Sequence, residues 1–107
     1  MKYLPVICRR LPATAMALFP FMLFKDERYK NEILLINHEK IHFRQQIELL
    51  ILPFYILYLL HYLINLIRFR NHHSAYFNIC FEKEAYANDQ NLNYLQKRAL
   101  YAWVRFL

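Results

Sequence analysis

Apolar residues recur at Leu34, Leu35, Ile41, Ile47 and Leu50, while Lys40, Arg44 and Glu48 share another face at i, i+4 steps. That periodicity predicts an amphipathic helix from about Glu32 to about Ile51. Asn31 suits its N-cap, and Glu32 puts a negative charge in the first turn, where the helix dipole favours it. Leu49 to Ile67 then runs without a formal charge. Pro53 interrupts it, because proline lacks the backbone donor and clashes with the preceding turn. A bend near Leu52–Pro53 and a second helix, about Phe54 to Phe69 and antiparallel to the first, are the result expected. Arg70 to Ala75 reads as a polar loop and about Asn78 to Leu95 as a third helix. The tail from Asn91 mixes Tyr94, Leu95, Leu100 and Trp103 with Lys97, Arg98 and Arg105, the pattern of a basic amphipathic helix.

The start of the chain is patterned differently. Arg9 and Arg10 precede an apolar run, Leu11 to Phe24, broken by Pro12 and Pro20. One or two strands over about Met16 to Phe24, with a turn at Lys25 to Lys30, fit that run. A signal or anchor segment is the other reading. The fold expected is mainly α: one small domain over residues 1–107, a helical hairpin bent near Pro53, a later helix bearing glutamates, and a short N-terminal strand or hairpin.

Composition narrows the partners. The chain is 58% hydrophobic and 18% aromatic, with net charge +6 and a pI near 9.5. The basic residues stand singly or in pairs, without the stripe or motif that nucleic acid requires, so no nucleic-acid partner is expected. Basic and apolar together suit a membrane surface with anionic lipids. Residues 49–67 are then membrane-associated, spanning or lying on a bilayer, or else buried core. His61 and Asn65 would be costly in lipid without partners. A membrane or membrane-associated location is expected, and the cytoplasm otherwise. Cys8 and Cys80 have neither metal-ligand spacing nor the density of a disulfide scaffold and are expected as free thiols.

The sharpest chemical signal is His38-Glu39-Lys40-Ile41-His42. Two histidines at i and i+4 lie one turn apart on one helical face and can hold one metal ion, with Glu39 beside them as a general base. Gln45 and Gln46 come next, as hydrogen-bond partners of the ligands or as ordinary helix surface. A catalytic zinc needs a third protein ligand. The chain has no glycine and Gln45 stands where a metzincin would carry one, so the third ligand is sought in a later helix. From Glu84 the sequence reads E-x-x-A-N, a carboxylate followed by Ala87 and Asn88. Glu82 is the rival, with Ala85 and Tyr86 at the same offsets.

These two motifs resemble those of the gluzincin zinc peptidases, the thermolysin-like and Ste24-like membrane enzymes, over residues 31–52 and 81–92. The resemblance implies a zinc ion held by His38, His42 and Glu84, Glu39 as the catalytic base, and Asn88 orienting a ligating histidine in place of the usual aspartate. It implies hydrolysis of a peptide or protein substrate, and an edge strand beside the histidine helix with which substrate backbone pairs. Tyr76, His72 and His73 are candidates to stabilise the oxyanion. The competing expectation is a non-catalytic, membrane-associated helical interaction protein whose motif is degenerate or accidental.

Geometry constrains either reading. Were Glu32 to Phe69 one straight helix, Phe69 would lie about 40 Å beyond His42, at ~1.5 Å per residue. The short stretch to Glu84 could not return that far, so a three-ligand site demands that the chain fold back.

Overall fold

The computed structural model describes residues 2–107 and is mainly helical, with a small sheet at the N-terminal end. Strands β1 (Leu4–Ile7), β2 (Ala15–Leu18) and β3 (Phe21–Phe24) form that sheet in the order β1-β3-β2. β2 and β3 are an antiparallel hairpin, Ala15 opposite Phe24 and Leu18 opposite Phe21. This is the pair of strands expected over Met16 to Phe24. β1 adds in parallel on the other side of β3, Leu4 opposite Phe21. It lies outside the run read as strand, because Pro5 and a mostly exposed face deny it the alternation that marks a half-buried strand.

A 3₁₀ turn, Glu27–Asn31, comes next, capped by the Asp26 side chain, which accepts from the Arg28 amide. Helix α1 (Ile33–Glu48) starts at Glu32 rather than Asn31, which is used to end the 3₁₀ turn. It also stops short of Ile51. Leu50 and Ile51 both take positive φ, 60° and 69°, making a tight reversal ahead of Pro53. The chain has no glycine for that region, so the reversal is built from residues that ordinarily avoid it.

Helix α2 (Leu52–Phe69) carries Pro53 in its first turn, where a missing donor costs nothing. The expected hairpin differs in one respect. The first turns of α2, not its end, sit at the histidines: Phe54 lies against the His42 ring, while Tyr62 and Asn65 meet the next helix. The return is made by α3 (His72–Phe77), which lies in the stretch read as a loop. Arg70 in a left-handed conformation ends α2, and Asn71 caps α3 by accepting from the Ser74 amide, so the polar cluster is a helix junction. Helix α4 (Cys80–Asn88) then runs beside α1.

The tail is not one amphipathic helix. It is the single turn α5 (Tyr94–Lys97) and a 3₁₀ turn, Ala102–Phe106. Arg98 is extended between them and reaches inward to Glu48 and Glu84, which interrupts helical continuation. Two apolar clusters hold these parts together. Met22, Phe24 and Phe43 pack the sheet onto α1. Phe54, Ile79 and Phe81 join α2 to α4, with Trp103 of the tail edge-on to Phe81. The polar site lies between them. Cys8 and Cys80 are free thiols, and burial pushes the Cys80 thiol up to about 11.

Candidate metal centre

Helix α1 turns an unusually polar face inward: Asn37, His38, Glu39, His42, Gln45 and Gln46 are all buried. Facing them on α4 are two buried carboxylates, Glu82 and Glu84. Successive turns of two adjacent helices thus create a polar interior that needs complete hydrogen bonding to be tolerated.

Both histidines converge on one atom. Oε1 of Glu82 lies 3.2 Å from His38 Nε2 and 3.1 Å from His42 Nε2. The other oxygen, Oε2, accepts from the Tyr58 hydroxyl of α2 at 2.6 Å. Candidate ligand atoms of His38, Glu39 and His42 lie within 4.8 Å of one another, so this buried group could hold a metal ion.

The far sides of both rings are fixed. His38 Nδ1 donates to Asp89 Oδ2 at 3.0 Å, and His42 Nδ1 donates to Gln45 Oε1 at 2.8 Å. A carboxylate oxygen only accepts, so His38 carries its proton on Nδ1. The Gln45 amide is equally constrained. Its nitrogen donates to the Phe81 carbonyl at 3.0 Å and to Glu84 Oε1 at 2.9 Å, both acceptors, which leaves its oxygen for His42. With both Nδ1 atoms committed as donors, the two Nε2 atoms point to one place, the Oε1 of Glu82. Carboxylate or amide oxygens behind metal-binding imidazoles are the usual way to set the tautomer and raise ligand basicity.

Between the Nε2 atoms and Glu82, the local charge balance is set by burial and proximity. Burial alone would depress the His42 pKa, but the Glu82 charge and hydrogen bond, with Glu39 behind, raise it to about 10. Burial alone would raise that of Glu82, but His42 and the bonds from His38, His42 and Tyr58 hold it well below the usual carboxylate range. Burial raises Glu39, and the charges of His42 and His38 offset part of that.

Glu84, expected as the third ligand, is engaged elsewhere. Its Oε2 accepts from Tyr94 at 2.6 Å and from Arg98 Nε, and its Oε1 accepts from Gln45 and from Arg98 Nη2 at 3.0 Å. Arg98 also holds Glu48 through two bonds of 2.8 and 3.1 Å. Burial would raise the Glu84 pKa, but the bonds from Arg98, Tyr94 and Gln45 lower it. The rival, Glu82, is the carboxylate that meets the histidines. Both residues lie near the same helical turn of α4, and α4 is rotated so that Glu82 faces the imidazoles while Glu84 faces Gln45 and the tail. Asn88 does not reach a histidine either. Its amide donates to the Glu84 carbonyl one turn back, at 2.9 Å. The orienting part expected of it is taken by Asp89, which stands two turns beyond Glu82 on the same face. Asn37 secures that end of α4 by donating to the carbonyls of Asp89, at 2.8 Å, and Asn91, at 3.1 Å. Tyr58 and Asp89 carried no motif signal. An acidic residue seven positions past Glu82, on one helix face, is the signal that would have found Asp89.

A cleft of about 670 Å³ opens over Glu39, His42 and Glu82. Pro12, Ala13 and β2 form one wall, and Tyr58, His72, His73, Tyr76 and Tyr86 line it elsewhere. β2 is an outer strand of the sheet. The Ala17 carbonyl accepts from Gln46 at 2.7 Å, so it points away from β3, whereas the Thr14 carbonyl accepts from Lys25 beyond β3. By the alternation of a strand, the peptide groups of Ala15 also face the free edge, toward the cleft. Tyr76 and Tyr86 share a hydrogen bond of 3.3 Å between hydroxyls, and His72 bonds Tyr62 at 2.8 Å.

No family model, curated protein or solved structure matches the chain.

Proposed function

We propose that this protein is a minimal zinc-dependent metallopeptidase whose metal is held by His38, His42 and Glu82. The observation that carries this reading is the pair of Nε2 atoms converging on Oε1 of Glu82 while Asp89 and Gln45 hold both Nδ1 atoms. Without a cation, each of these imidazoles, its Nδ1 already donating, must either carry a charge or turn a lone pair toward a carboxylate oxygen. A cation between them removes that conflict. Two imidazoles and one carboxylate are the ligand set of thermolysin-type catalytic zinc sites.

Zinc, when bound, supplies Lewis acidity toward a water molecule and a peptide carbonyl. The chain's own groups do the rest. Glu39 borders the cleft beside His42 and takes the proton of the attacking water, then delivers it to the leaving amine. The free peptide groups of Ala15 on β2 pair with an extended substrate and align it across the cleft. Tyr58 holds Glu82 against the histidines and keeps its second oxygen from wandering. Tyr76, at the cleft wall, is the hydroxyl available to the oxyanion once it leaves Tyr86. The substrate class is peptide or protein in extended conformation.

A second reading draws on the same bonds. The contacts of Glu82 with both histidines give the cluster internal partners, so a non-catalytic protein could keep it as a structural ion-pair cluster. Metal content decides between them. Wild-type protein is expected to bind one zinc per chain, and His42→Ala none. A wild type that binds no zinc overturns the metal site. Glu39→Gln is expected to retain zinc and to lose cleavage of a quenched-fluorescence peptide library. Undiminished cleavage in that variant removes Glu39 from the mechanism.

A further inference from the structure

Helix α2 is inverted with respect to a helix that faces water. Its hydrogen-bonding side chains turn inward: Tyr58 to Glu82, His61 to the Cys80 amide, Tyr62 to His72, and Asn65 to the Ala75 carbonyl. Its outward face is aliphatic. Leu52, Ile56, Leu59, Leu60, Leu63 and Ile67 are between 46% and 78% exposed. Leu59 and Leu60 are adjacent and the others follow at steps of three and four, a continuous stripe about 22 Å long at 1.5 Å per residue. No formal charge interrupts it, and exposed Arg68 and Arg70 stand at its end. A contiguous aliphatic face of this extent on a small protein marks an interaction surface.

By length and composition α2 could cross a bilayer, and only 11% of it is buried within the fold. Its inner face, however, is tied along its length to α3 and α4, which carry His72, Glu82 and Lys83. A transverse α2 would draw those groups into hydrocarbon, where charged and polar side chains are costly. Lying flat avoids it: the stripe enters the acyl boundary and the polar face stays with the protein. A second copy could cover the same stripe, but each copy brings a net charge of +6, which opposes self-association and favours a surface of opposite sign.

We propose that the outward face of α2 is a docking surface for an anionic lipid bilayer, on which the helix lies parallel to the membrane plane. Phe54, Tyr55 and Tyr58 of the same helix line the cleft, so docking holds the cleft beside the headgroups. The lipid contact does not depend on the metal, so its failure and that of the peptidase reading are separable.

The full chain is sedimented with vesicles of phosphatidylcholine alone and of phosphatidylcholine with phosphatidylglycerol. Binding to the anionic vesicles is expected, weakening as salt is raised. Replacing two stripe residues together, Leu60→Glu with Ile67→Glu, is expected to lower partitioning at least tenfold while helicity by circular dichroism is kept. A second variant guards against misfolding of the first. Leu63→Trp is expected to give blue-shifted emission quenched by lipids brominated in the acyl chain, beyond the baseline of wild-type Trp103. Protein left in the supernatant, unchanged binding by the double variant, or an unquenched Leu63→Trp each overturns the proposal. A vesicle-free dimer that the double substitution splits, with no quenching, assigns the stripe to a second copy instead.

Discussion

The side-chain oxygen of Gln45 accepts from Nδ1 of His42 at 2.8 Å, and nothing in its surroundings lets that amide turn over. Its nitrogen is held by the Phe81 carbonyl and by Glu84. One glutamine therefore fixes the orientation of the His42 ring and ties the candidate metal centre to the ion cluster behind it. Gln45→Ala frees the His42 imidazole to rotate. Zinc affinity, measured by competition with a chromophoric chelator, is expected to fall roughly 10- to 100-fold. An unchanged affinity would mean that Asp89 and the packing around His42 suffice.

The two carboxylates of α4 are expected to separate cleanly. Glu82→Gln removes the carboxylate charge on which the histidines converge and is expected to abolish zinc binding. Glu84→Gln is expected to keep zinc and to lose stability in urea unfolding, since Arg98 loses one of its two carboxylates. The reverse pattern would restore Glu84 as the ligand.

Arg98 is the only cation bonded to the buried carboxylates of Glu48 and Glu84 among the described residues. Arg98→Met leaves both charges in the interior without it. The expected loss is about 3–5 kcal/mol, the range for breaking a buried pair from one side. Urea midpoints read this directly, and a loss under ~1 kcal/mol would place the cluster in the weaker, solvated class.

His61 gives the fold a pH dependence apart from the histidine–carboxylate cluster. Its Nδ1 accepts from the Cys80 amide at 3.1 Å, which requires the neutral ring. Burial, with Lys83 and Arg68 nearby, lowers its pKa from 6.5. The unfolded chain therefore takes up the proton first, and stability falls as pH drops from 7 through 6.5 toward the folded value. His61→Asn offers an uncharged acceptor and is expected to flatten the thermal-melt profile between pH 7 and 5. A profile identical to wild type would assign the acid sensitivity elsewhere.

Sequence patterning showed the histidine helix, the break ahead of Pro53 and the β2–β3 pair, because periodicity and proline act locally. It named the two carboxylates that the later helix contributes to the interior but ranked Glu84 above Glu82. That order rested on the near neighbours of each glutamate, Ala87 and Asn88 against Ala85 and Tyr86. The rotation of α4 is instead set by Phe81 packing on Phe54 and by Arg98 drawing Glu84 away. Those are long-range terms that no local window contains. Asn71 shows the opposite failure. Its capping signal was local and legible, but the adjacent histidines and arginine made the stretch read as a loop.

The position of Arg98 makes the tail part of the centre. A residue well downstream of α4 wedges its guanidinium between α1 and α4 and latches the back of the helix that presents Glu82. That latch works with the packing of Phe81 on Phe54 to hold the rotation of α4, so the polar interior between α1 and α4 depends on the tail. A nick or truncation before Arg98 would then loosen the histidine–carboxylate cluster without touching any of its residues.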